Sequence, residues 1–70
     1  MDEEVFNLEL RKFLKKFGIT AQREIEKAVQ AGIERGTLKG NETLQVQATL
    51  SLGSLLPALR IDGEIALSKR

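Results

Sequence analysis

Between Gly36 and Asn41 the hydrophobic period of this chain changes, from helical spacing before that point to strict alternation after it. A chain written this way folds its first half as helix and its second half as strand. The fold class expected is therefore α+β. It takes the form of an N-terminal helical hairpin packed on one face of a C-terminal antiparallel β-hairpin, an ααββ two-layer arrangement.

The helical half contains two expected elements. Asp2 is a natural N-cap for a helix over 3–17, with Glu3 and Glu4 in its first turn and Arg11, Lys12, Lys15 and Lys16 later, the charge order a helix dipole favours. Phe6, Leu10, Phe13, Leu14 and Phe17 form one apolar stripe flanked by Val5 and Leu8, and it holds every aromatic residue of the chain. Gly18 suits a left-handed helix end and Thr20 a new N-cap, so a second helix is expected over 21–35, ended by Gly36. Its core side is small: Ala21, Ile25, Ala28, Val29, Gly32 and Ile33.

In the second half Leu44, Val46, Ala48, Leu50 and Leu52 alternate with Thr43, Gln45, Gln47, Thr49 and Ser51, which reads as a strand over 43–52. A second strand is expected over 58–68, with Leu59, Ile61, Gly63, Ile65 and Leu67 on the apolar side. Asp62-Gly63 is a hairpin dipeptide, but a turn there would mix polar and apolar residues on each face, so the strand is read straight through it. Matching like faces around a 53–57 loop pairs Leu52 with Leu59, Leu50 with Ile61 and Ala48 with Gly63. The last pair makes a notch where the aromatic stripe would sit.

Seventy residues are read as one domain, 1–70, with a core near the lower limit of what folds alone. Cys and His are both absent, so disulfides and Cys/His zinc sites are excluded, and so is the chemistry that usually supplies a nucleophile or general base. No catalytic, cofactor-binding or metal-binding residue is assigned, and the chain is read as not an enzyme. Asp62 and Glu64 share a strand face, which reads as a solvated surface rather than a cation site. The longest uncharged stretch carries too many polar residues to span a membrane, and the acidic start lacks secretory features, so a cytoplasmic setting is expected.

Three surfaces are candidates for contact. Arg11, Lys12, Lys15, Lys16, Arg23 and Lys27 cluster around the expected inter-helix turn and would suit an anion or a nucleic-acid backbone, although a solvated face explains them as well. The first strand, through Thr43, Gln45, Gln47, Thr49 and Ser51, has no charge to protect its edge, so a homodimer or another protein partner could add a strand there. Leu55 and Leu56 form an apolar loop tip that either closes the core or meets a partner. The function expected is a non-enzymatic interaction or binding module. The alternative is a nucleic-acid-binding protein of degenerate winged helix-turn-helix type, although Leu14, Glu24 and Lys27 fit that motif poorly.

The runs Arg11-Lys-Phe-Leu-Lys-Lys-Phe-Gly-Ile-Thr-Ala-Gln-Arg-Glu-Ile-Glu-Lys-Ala-Val29, Leu38-Lys-Gly-Asn-Glu-Thr-Leu44 and Gly63-Glu-Ile-Ala-Leu67 resemble a family of small bacterial proteins of unknown function. The likeness spans most of the chain. It implies a stand-alone bacterial domain and brings no activity or site residues with it.

Overall fold

The computed structural model describes residues 1–69, which form two compact units joined after Thr37. The first is a single helix, α1 (Glu3–Glu34). The second is an antiparallel hairpin of β1 (Thr43–Leu52) and β2 (Leu56–Ala66). The α+β class holds, but the helical hairpin does not: the chain runs helical straight through Gly18, Ile19 and Thr20.

Phase explains why. Phe6, Leu10, Leu14, Phe17, Ala21, Ile25, Ala28 and Gly32 advance in steps of 4, 4, 3, 4, 4, 3 and 4, so the two expected stripes are one stripe with an 11-residue repeat. That repeat stays on one side of a nearly straight helix. A turn at Gly18 would have had no need to preserve the phase. Gly18 keeps a negative φ, in contrast to Gly36, Gly40 and Gly53, and a helix interior tolerates it at about 1 kcal/mol relative to Ala. The 32 residues extend about 48 Å.

Both ends of α1 are built as expected. The Asp2 carboxylate accepts the N–H groups of Glu4 and Val5 at 3.1 Å each, satisfying donors that the first turn leaves open. At the other end Gly36 adopts φ 78°, its N–H donates to the Ile33 carbonyl at 3.1 Å, and the Thr37 N–H donates to the Gly32 carbonyl at 2.9 Å. This paired closure needs the left-handed backbone that glycine adopts without strain.

In the hairpin, β1 has the expected bounds, whereas β2 begins two residues earlier than expected and its register differs. Leu50 pairs with Leu59, Ala48 with Ile61, Val46 with Gly63 and Leu44 with Ile65. The expected register was two residues off because the connection is tighter: Gly53 takes φ 57° and the Leu55 N–H reaches the Leu52 carbonyl at 3.2 Å. A slip of two residues leaves every side chain on its original face, so alternation by itself does not choose between the two registers. An irregularity between Leu50 and Leu52 absorbs the remainder, and Leu52 pairs with Leu56. Beyond β2 the ladder continues by one bond, from the Leu67 N–H to the Glu42 carbonyl at 2.9 Å.

Asp62-Gly63 lies inside β2, as the face pattern required. A Cβ at Gly63 would stand 3.4 Å from the Val46 Cγ1, within van der Waals contact of the residue it pairs with. The notch expected between Ala48 and Gly63 is not formed, since those two residues are not partners. On one face of the hairpin Leu44, Val46, Ala48 and Leu50 with Gly63, Ile65 and Leu67 are half-buried, while Leu59 and Ile61 on the same face are exposed.

Candidate functional site

Burial falls unevenly along α1. Every residue from Met1 to Thr20 is exposed, whereas Ala21, Ile25, Val29 and Ala31 are half-buried and Gly32 is buried. Among the described residues no hydrophobic side chain reaches full burial. The expectation that the aromatics sit against a core is overturned: Phe6 is 50% exposed, Phe13 51% and Phe17 47%, with Leu10 and Leu14 at 42% and 51%. These five follow one side of the helix over three turns. Val5 and Leu8, expected to flank them, point to the far side at about 100° per residue.

The basic cluster is rearranged by the loss of the turn. Arg11, Lys12, Lys15 and Arg23 lie on the side of α1 away from the Phe6–Phe17 stripe and Lys16 and Lys27 border it, the six spread over about 24 Å of helix. They surround no corner. The dipole account of their placement fails as well, because residues 11–16 lie mid-helix and the last turn of α1 holds no basic residue. Lys12 pairs with Glu9 at 3.7 Å and Lys27 with Glu24 at 3.5 Å, both exposed and one helical turn apart. Such pairs are worth a few tenths of a kcal/mol. With one helix and no inter-helix turn, the helix-turn-helix docking element is absent from the described residues.

On the hairpin, the expected edge residues Thr43, Gln45, Gln47, Thr49 and Ser51 are exposed, and among the described residues β1 pairs with β2 alone. Gln45 donates from Nε2 to Glu64 Oε2 at 3.0 Å, opposite it in the ladder. Asp62 accepts from Arg60 Nε at 2.9 Å along its own strand. No cluster of three or more metal-ligating side chains occurs among the described residues. Leu55 is 85% exposed and does not fold over the core, while Leu56 lies in β2 and is half-buried.

Glu42 was not singled out in the sequence. Its carboxylate accepts the Lys39 N–H at 2.9 Å and the Gly40 N–H at 3.0 Å, which orders the start of the hairpin unit. Those bonds hold its pKa below the usual 4.5. The signal available in sequence was a Glu two residues after a Lys-Gly turn, a pattern common to many loops. An open groove lined by Glu4, Val5, Asn7, Leu8 and Arg11 has walls from α1 alone and encloses nothing.

A family model described as a family of unknown function, DUF6494, matches residues 1–68. The chain belongs to the DUF6494 family. No curated protein and no solved structure matches it. For this DUF6494 chain the functional evidence is therefore its own surface, and no helix among the described residues is long and apolar enough to cross a membrane.

Proposed function

We propose that this chain is a non-enzymatic interaction module that completes its hydrophobic core against another polypeptide. The observation that carries the reading is the open stripe of Phe6, Leu10, Phe13, Leu14 and Phe17, in a chain whose described residues bury no apolar side chain fully. Contiguous apolar surface of this kind marks interaction sites in small proteins. The non-enzymatic part rests on residue chemistry, since no His or Cys is present to act as base or nucleophile. The uncharged edge of β1 is a second contact surface of the same module, suited to strand addition.

Amide hydrogen exchange on dilute chain tests the reading. Residues 5–20 should exchange much faster than the paired amides of β1, and a partner should slow them. Equal protection of both regions in a dilute monomer would overturn it.

A further inference from the structure

The partner that fits the open stripe best is a second copy of the same stripe, laid antiparallel. This deepens the interaction-module reading and rests on it. Phe6, Leu10, Phe13 and Phe17 advance in steps of 4, 3 and 4, the spacing of a two-helix seam. The next seam positions outward are Glu3 and Thr20, so the apolar seam is four residues long and closed by polar residues at both ends. All four are half-exposed in the isolated chain.

We propose that two copies pair through residues 3–20 of α1, with Phe6 of one copy against Phe17 of the other and Leu10 against Phe13. The pair has two-fold symmetry, so each contact occurs twice. Charge selects the antiparallel direction. Glu9 and Lys16 immediately precede the seam residues Leu10 and Phe17, and in an antiparallel pair these flanking positions meet across the seam. Glu9 of each copy then faces Lys16 of the other. A parallel pair would set Glu9 beside Leu14 and Lys16 beside Ala21, and it would align the acidic turn Asp2–Glu4 with its own duplicate. The helix dipoles also oppose one another in the antiparallel pair.

The area suffices for a specific contact. Covering the exposed parts of three Phe and two Leu on each copy removes on the order of 1,000 Å² for the pair, near the lower bound of stable interfaces. Leu14 sits beside the seam and closes its rim. The basic residues Arg11, Lys12 and Lys15 face outward and do not meet their duplicates.

A charge swap tests the arrangement without touching the seam. Sedimentation of the full chain should show a concentration-dependent dimer. Glu9→Lys alone, and Lys16→Glu alone, should each weaken it about tenfold by opposing like charges twice. The double variant Glu9→Lys with Lys16→Glu should restore it. Glu9 and Lys16 are two turns apart and do not meet within one chain, but Lys12 lies between them and pairs with Glu9, so the helical signal of each variant is read in dilute monomer as well, where it should stay constant while dimerisation changes. Loss of rescue, or insensitivity to all three variants, overturns the arrangement.

Because the chain has no native Cys, direction can also be read covalently. Mixed Phe6→Cys and Phe17→Cys chains should form the mixed disulfide, and predominance of like-with-like disulfides overturns the antiparallel pair. A chain that stays monomeric at high concentration with rapidly exchanging residues 5–20 ends self-pairing and leaves the broader module reading standing. A monomer with those amides protected ends both.

Discussion

The two halves of α1 carry the same stripe and meet different fates. From Phe6 to Phe17 the stripe is bulky and half-exposed; from Ala21 to Gly32 it is mostly small, with Ala21 and Ile25 half-buried, Gly32 buried and Ala28 alone exposed. Periodicity is shared, so it identifies which side of a helix seeks cover without saying which part receives it. The bulky half holds the larger apolar area and has the greater need. Most helical stability in proteins comes from packing of the apolar face, so the exposed half is where association has the most to contribute.

The comparison is broken most directly by truncating each half in turn. The pair Phe13→Ala and Phe17→Ala should weaken self-association by at least a hundredfold, about 3 kcal/mol, while leaving the unfolding midpoint of dilute monomer unchanged. Ile25→Ala should do the reverse, lowering stability by about 1–2 kcal/mol at every concentration. Denaturant unfolding across a concentration series separates the two. If Phe13 and Ile25 behave alike, the halves are not different in kind.

Two glycines sharpen the account of where α1 ends. Gly36→Ala forces a side chain into φ 78° and should cost about 1 kcal/mol, read as a lower unfolding midpoint. Gly18→Ala should have the opposite sign. A Cβ at Gly18 meets nothing within 4 Å, and the backbone there is helical, so the variant should gain up to about 1 kcal/mol and raise the helical circular-dichroism signal. A loss at Gly18 would restore the broken-helix reading.

The smallest expected effect lies at Glu42. Its folded pKa is lowered by the N–H groups of Lys39 and Gly40, so the stability it contributes is present above its unfolded value and is lost as pH falls through the folded one. Glu42→Gln should therefore flatten the acid side of the stability profile slightly. A carboxyl titration followed by NMR should give Glu42 a midpoint below 4.5. A midpoint at or above that value would mean that the contacts do not persist in solution.

Much of the architecture was legible from residue types. Asp2 and Gly36 bounded the helical region because each fills a backbone requirement that few residues meet, and the alternation from Thr43 gave β1 its bounds. At Gly18 glycine followed by Ile-Thr suits a helix end locally, but the apolar phase that runs through it prevails. The register was missed for a related reason: every even slip satisfies the same faces, and the tightness of the turn at Gly53 decides among them. Of the candidate contacts, the outward residues of β1 are exposed. The basic cluster lost the corner that had defined it, and the aromatic stripe expected in a core became the leading surface.

The sequence by itself determined the order of helix and strands, the caps of α1 and the sidedness of each element, because these follow from single-residue conformational preferences and the two periods of 3.6 and 2. The continuity of the helix through Gly18 lies in the unbroken 11-residue phase, whereas the register of the strands and the exposure of the Phe6–Phe17 part of the stripe emerge only in the folded molecule. The register depends on the turn geometry at Gly53 and the exposure on long-range packing, and neither is encoded in any one residue.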